Sequence, residues 1–264
     1  MKTFQILTLA NDLRHYANLR HSFLAAGFDE ERCAYTMLDN FDGNAHEPYG
    51  AYQRFKTAGR AKYFIFCHQD VLLSQGDGYD KLLAVLAALS RRDPTWAVAG
   101  NSGVNAGYEL VSRIVDPLGT PAWLGDLPQA VMGLDENFIV VNGADGAAGI
   151  GWSPELAGFH FYGCDVCLNA ALHGRKSYVI DFKLQHLGRG VLTADFWAIK
   201  ARFQRHWEKR FHAAFIITPT KIPLVLTRHA WLRWLGALPV VQRRLLRPRA
   251  LRLARRLNLA RIPA

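Results

Sequence analysis

Cysteine is scarce. The 264 residues hold four, Cys33, Cys67, Cys164 and Cys167, too few and too scattered for a disulfide scaffold, so a reducing compartment fits best. Long apolar runs are missing as well. Lys2 precedes an apolar stretch over 4–10 that Asn11, Asp12 and Arg14 end too early for a signal peptide. Nothing approaches the roughly 20 apolar residues of a membrane-spanning helix. The expected location is the cytoplasm, with any membrane contact made from that side. No G-x-S-x-G elbow is present, which leaves a hydrolase reading without a nucleophile. The glycines over 143–151 do not fall as G-x-G-x-x-G, and no lysine follows them for a phosphate loop. That segment reads as a flexible lid, an acceptor loop or a plain surface loop. Cys164 and Cys167 have the spacing of a half zinc site, but no second Cys or His pair accompanies them, and buried free thiols are the better reading.

Acid is nearly absent from one end of the chain. Residues 200–264 carry 16 Lys and Arg against Glu208 alone, a net of +15, whereas residues 1–199 carry 16 against 21 acids, a net of −5. The overall charge of +10 is therefore a C-terminal property, which argues against a uniformly basic nucleic-acid binder. Half of the chain is apolar and its mean hydropathy is −0.03, the composition of a globular protein with a sizeable core.

Short β-branched or aromatic runs alternate with segments of helical period, the pattern of an α/β domain. Strands are expected over 4–10, 34–38, 63–67, 96–99, 138–141 and 177–182, and helices over 13–26, 49–58, 79–91, 165–173 and 195–211. From about 100 to 163 the pattern loosens into Gly- and Pro-rich chain, the kind of stretch that forms binding loops. Beyond 211 the character changes. Pro219 and Pro223 interrupt an apolar run, Trp231 and Trp234 follow, and 250–261 reads as a basic amphipathic helix opened by Pro248. Two units are expected: a domain over 1–211 and a basic C-terminal extension over 212–264.

Three stretches bear chemistry. The strand over 63–67 runs into His68 and Asp70, which an extended chain points the same way at its carboxyl end, where open α/β sheets bind ligands. A carboxylate there holds a hard cation with substrate phosphates, or closes a turn. In Phe159-His160-Phe161-Tyr162-Gly163-Cys164-Asp165, Asp165 falls in the first turn of a helix, as a charge favourable to its dipole or as a general base. The third stretch ends in Gln185-His186-Leu187-Gly188-Arg189-Gly190, a histidine on a glycine-rich turn beyond a strand, a surface residue unless it meets Asp70.

Taken in order, His68-Gln69-Asp70-Val71, Leu134-Asp135-Glu136-Asn137-Phe138, Phe159-His160-Phe161-Tyr162 with Asp165 to Leu168, and His186 resemble the GT-A glycosyltransferases of the family 2-like branch that includes the streptomycin-biosynthesis StrF-type domain. The resemblance spans residues 4–190. It implies a GT-A fold, Rossmann-like, with a mainly parallel central sheet flanked by helices. It also implies transfer of a sugar from a nucleotide-sugar donor, UDP-, GDP- or dTDP-linked, to a hydroxyl of a glycan or lipid-linked acceptor, with inversion, in surface polysaccharide or glycoconjugate synthesis. Asp70, His68 and His186 match the Mn²⁺ or Mg²⁺ site, and Asn11, Asp39 and Asn40 match the nucleotide positions. Asp165 or Asp135 takes the catalytic carboxylate, because the residue two before Asp165, commonly acidic in the family, is Gly163 here. The same glycine supports a rival reading, a catalytically degenerate GT-A domain that binds a partner through its basic tail. The tail itself fits adsorption to an anionic membrane surface.

Overall fold

In the computed structural model, residues 2–143, 149–188, 194–211, 213–257 and 259 are described. The amino-terminal half follows the sequence pattern closely. Strands β1 (Lys2–Ala10), β2 (Cys33–Asp39) and β3 (Ala61–Cys67) are parallel, with β1 in the middle. Helices α1 (Leu13–Ala25), α2 (Pro48–Ala58) and α3 (Tyr79–Arg92) accompany them. Asp12 starts α1 by accepting hydrogen bonds from the backbone N–H groups of Arg14 and His15, and Pro48 opens α2 where its missing N–H costs nothing. On α3, Tyr79, Leu82, Leu86 and Leu89 recur at helical spacing and are buried.

The remaining strands are β4 (Val71–Leu72), β5 (Trp96–Gly100), β6 (Ser102–Asn105), β7 (Leu110–Val115), β8 (Pro121–Leu124), β9 (Gln129–Leu134), β10 (Phe138–Asn142), β11 (Lys176–Val179) and β12 (Leu184–His186). With the first three they form one sheet in the order β2-β1-β3-β10-β5-β11-β9-β6-β7-β12-β4, with β8 beside β7. Four short strands, β6 to β9, occupy a stretch expected to be irregular. Short connections join β6 to β7 and β7 to β8, which makes those pairs antiparallel, and β9 returns to pair antiparallel with β6. The sheet is therefore mixed: β1–β2, β1–β3, β5–β11 and β7–β12 are parallel and the other pairs antiparallel, less parallel than the sequence suggested.

Only His68, Gln69 and Asp70 separate β3 from β4, yet these strands stand third and eleventh along the sheet. Three residues span about 10 Å at most, so the sheet curls until its last strand returns to the carboxyl end of β3.

The alternation of β3 divides the core. Tyr63, Ile65 and Cys67 face one apolar cluster with residues of α1 and α3, and Phe64 and Phe66 face the other. That second cluster is completed by α4 (Tyr162–Leu172), α5 (Ala194–Glu208) and a hairpin of β13 (Ala214–Ile217) and β14 (Pro223–Leu226). Phe215, Ile216, Leu224 and Leu226 are each at most 4% exposed, and each such side chain contributes about 1.5–3 kcal/mol of burial. The chain past residue 212 thus enters the core before three helices follow, α6 (Ala230–Ala237), α7 (Pro239–Leu245) and α8 (Pro248–Arg256). Part of the expected glycine loop, 144–148, lies outside the described residues, as do 189–190 and residues 258, 260 and 261 of the expected C-terminal helix.

Candidate functional site

Where the curled sheet closes, three sequence-distant side chains meet. Asp70 follows β3, and His186 ends β12 directly across from Val71 of β4. His68 is fixed by its own N–H, which donates to the carbonyl of Asn137 at 3.0 Å, and Asp70 by its carbonyl, which accepts from Leu187 N–H at 2.9 Å. His186 Nε2 lies 3.4 Å from Asp70 Oδ1 and 3.4 Å from His68 Nδ1. One ligand atom from each of the three residues falls within 4.8 Å of the others.

The states of His68 and Asp70 suit a cation, and His186 binds one on giving up its proton. Tyr162 Oη donates to the carbonyl of Glu136 at 3.3 Å and lies 2.6 Å from His68 Nε2. This contact anchors the Nε2 edge of the ring and turns Nδ1 of His68 toward Asp70 and His186. Burial and the competing charge of His186 hold His68 neutral, far below the usual histidine range. Burial opposes the charge on Asp70, but the hydrogen bond and charge of His186 outweigh it and keep the carboxylate ionised. His186 is shifted the other way: burial lowers its proton affinity, and Asp70 more than restores it. The space beside the three is kept by Gly188, where a Cβ atom would stand 2.3 Å from Asp70 Oδ2 and 3.1 Å from His186 Nε2. Two imidazoles, a carboxylate and an open cradle fit a divalent cation, and the imidazoles favour Mn²⁺ over Mg²⁺.

His68, His186 and Gly188 line a cleft of about 440 Å³, whose walls also carry Asp135, Glu136, His160 and the aromatic rings of Phe159, Phe161 and Phe196. Because β10 runs antiparallel to β3 with Phe138 opposite Cys67, the turn before β10 lies against the His68 segment. That turn delivers Asp135 and Glu136. Phe161, with φ 69°, holds the left-handed conformation that a bulky residue adopts at a cost of about 1–3 kcal/mol. It sets the start of α4 so that Tyr162 reaches His68. The third wall is Thr218, Pro219 and Thr220, the turn of the β13–β14 hairpin.

The other expected residues divide. Asn11 and Gln69 bridge the ends of β1 and β3: Gln69 Oε1 accepts from the N–H groups of Asn11 and Asp12, each at 2.9 Å, and its amide donates to Asn11 Oδ1. Asp39 is exposed at the end of β2, its carboxylate accepting from Phe41 N–H at 3.4 Å. Asn40 is buried and clamps a loop, its Oδ1 accepting from His46 N–H at 2.8 Å and its Nδ2 donating to His46 O at 2.9 Å. Asp135 lines the cleft, with Oδ1 accepting from Asn137 N–H at 3.0 Å and from the Asn137 amide. Asp165 is not at the cleft. It is 0% exposed and accepts from Ser153 N–H (2.7 Å), Ser153 Oγ (2.9 Å), Trp207 Nε1 (2.9 Å) and Asn169 Nδ2 (3.2 Å). Four donors leave no lone pair for an acceptor hydroxyl, so this carboxylate ties α4 to α5. Cys164 and Cys167 are buried free thiols.

Sequence reasoning missed Glu136, Tyr162 and the Thr218–Thr220 turn. The first two belong to stretches singled out for other residues.

No family model matches the sequence. In structure, the chain resembles the mannosyltransferase PcManGT from Pyrobaculum calidifontis in complex with GDP-Man and Mn²⁺, with a TM-score of 0.50 and 11% identity over 97% of this chain and 72% of that one. It equally resembles GalNAc-T7 with UDP, GalNAc and Mn²⁺, at a TM-score of 0.50 and 11% identity over 76% of this chain and 48% of that one. The curled sheet flanked by helices is a GT-A glycosyltransferase fold. In sequence it is 31% identical over 214 residues to the protein designated ATP synthase subunits region ORF 6 of Fuscovulum blasticum, covering 79% of this chain and 84% of that protein. That designation names a place and a reading frame and no activity, and the chain belongs to the family of this protein.

Proposed function

We propose that this chain is a metal-dependent glycosyltransferase that moves a sugar from a nucleotide-sugar donor to a hydroxyl of a glycan or lipid-linked acceptor. One observation carries the reading: His68, Asp70 and His186 converge, with a cradle kept open by Gly188, at the carboxyl end of β3 in a GT-A sheet. Ligands of open α/β sheets bind at that edge. The structural neighbours in complex with GDP-Man or UDP and Mn²⁺ support the same assignment. When bound, Mn²⁺ or Mg²⁺ would neutralise charge developing on the departing diphosphate. The chain's own residues would hold it through the imidazole of His68, the carboxylate of Asp70 and the imidazole of His186, with Asp135 adding negative charge from the wall. In this reading Asn11 and Asp39, at the neighbouring strand ends, contact the nucleotide. The degenerate reading rested on Gly163, and a different cause accounts for that glycine: a Cβ there would stand 2.3 Å from the carbonyl oxygen of Leu134.

Titration calorimetry with UDP, GDP and dTDP in the presence of Mn²⁺ tests the proposal. One of the three is expected to bind, more weakly with Mg²⁺, and Asp70→Ala is expected to lower affinity at least tenfold. Binding of none, or unchanged binding in Asp70→Ala, would refute it.

We further propose that the C-terminal helices hold this enzyme on the cytoplasmic face of an anionic membrane, where lipid-linked acceptors reside. Among the described residues no helix is long and apolar enough to cross a membrane. Trp231 and Trp234, three apart on α6, are 63% and 65% exposed, and α8 combines four arginines with exposed Leu253. Exposed indoles beside dense positive charge suit the boundary between headgroups and acyl chains.

A further inference from the structure

Glu136 and Gly163 meet at the start of α4. The N–H of Gly163 points to Glu136 Oε1 at 3.4 Å, and a Cβ placed at 163 would stand 3.1 Å from Glu136 Cγ as well as 2.3 Å from the Leu134 carbonyl. Position 163 therefore cannot carry a carboxylate in this backbone, and the side chain of Glu136, arriving from the turn before β10, occupies the adjoining space. Of the three carboxylates near this wall, Asp165 is sealed by four donors and Asp135 is held by Asn137. Glu136 lines the cleft that also holds His68 and His186, and the groups that face its carboxylate are the backbone N–H groups at the start of α4, with Gly163 N–H 3.4 Å from Oε1.

We propose that Glu136 is the general base of this enzyme, a carboxylate supplied from the sheet in place of one at the head of α4. The inference rests on the transfer reading above. In the step, the acceptor hydroxyl gives its proton to the Glu136 carboxylate as its oxygen forms a bond to the anomeric carbon of the donor sugar. The bond from that carbon to the diphosphate oxygen breaks, and its electron pair leaves with the nucleoside diphosphate. A single displacement of this kind inverts the anomeric centre. Burial, with the charge of Asp135 adding to it, raises the proton affinity of Glu136, while N–H groups of Gly163, Tyr162 and Phe161 oppose the shift. A base whose proton affinity lies nearer neutrality takes a proton more effectively.

The competing role is structural, with Glu136 capping the free N–H groups of α4. Glu136→Gln separates the two, because glutamine keeps an acceptor oxygen and loses the base. The full chain is assayed with Mn²⁺ and whichever UDP-, GDP- or dTDP-sugar it binds, reading nucleoside diphosphate affinity, release of sugar to water and melting temperature. Glu136→Gln is expected to bind nucleoside diphosphate within twofold of the unchanged chain and to release sugar about 10²–10⁴-fold more slowly at unchanged donor KM. Glu136→Asp, which keeps the charge and retracts it by one methylene, is expected to fall between them. A kcat for Glu136→Gln within threefold of the unchanged chain overturns the proposal. So does a loss of kcat matched by equal loss of affinity and melting temperature in both variants, which marks a cap. Failure of the transfer reading looks different: the unchanged chain then binds no nucleoside diphosphate, and Asp70→Ala changes nothing.

Discussion

Glu136 is half-buried, and burial first, then the charge of Asp135, pushes its carboxyl up to about 8. A carboxyl raised in the folded state favours folding below its unfolded value and loses that contribution as pH rises through the folded one. The unchanged chain is therefore expected to lose stability between about pH 4.5 and pH 8 relative to Glu136→Gln, by on the order of 2 kcal/mol after allowing for partial exposure. Urea melts at pH 5 and pH 8 without metal check this, and equal pH dependence in both chains refutes it. At Gly163 the obstacle is backbone, which does not yield as a side chain does. Gly163→Ala is expected to destabilise the fold by about 2–4 kcal/mol. A melting temperature unchanged by that substitution would show the close approach to Leu134 to be relaxed. His68, Asp70 and His186 were legible because a strand end announces itself by its apolar run. Glu136 was not, since in Leu134-Asp135-Glu136-Asn137 it reads like any turn acid. Only the antiparallel entry of β10 beside β3 gives it a cleft to face. Asp165 misled for a related reason: the sequence places it in a helix's first turn without the roll of that helix, which aims it at Trp207.

Between elements, the clasp from α4 to α5 through Asp165 is the feature most open to test. Its four donors come from the 153 loop, from α4 itself and from Trp207 of α5. Asp165→Ala leaves buried N–H and O–H groups without acceptors, at about 3–5 kcal/mol. Its denaturation midpoint is expected to fall accordingly, while protein that remains folded binds nucleoside diphosphate as before. A folded variant that binds normally but transfers no sugar would return Asp165 to the chemistry. Strands β1, β2, β3, β5 and β10, and helices α1 to α5, lie within a few residues of where periodicity placed them. Strands β6 to β9 escaped because four to six residues carry too little alternation to register. The β13–β14 hairpin escaped because Pro219 and Pro223 broke its apolar run, though that break is the turn that walls the cleft.

For the molecule as a whole, charge is divided by position along the chain, with the −5 of residues 1–199 holding the candidate metal site and the +15 of residues 200–264 holding the surface helices. Adsorption to vesicles containing anionic lipid is expected for the full chain, and Trp231→Ala with Trp234→Ala is expected to reduce it at least fivefold. Equal co-sedimentation of the two, or binding indifferent to lipid charge and salt, would refute the membrane role. The tail also turns back on the domain. Arg255 pairs with Glu109 at 3.0 Å, and the carbonyl of Leu259 accepts from Phe215 N–H at 2.9 Å, along the side of β13 that faces away from β14. A two-stranded sheet has two open margins, and here the chain's own end covers one of them. A chain stopped after Arg247 would leave that margin free to pair with its twin in another molecule. The expected first symptom is concentration-dependent self-association, seen by light scattering while the far-ultraviolet spectrum still reports a folded protein.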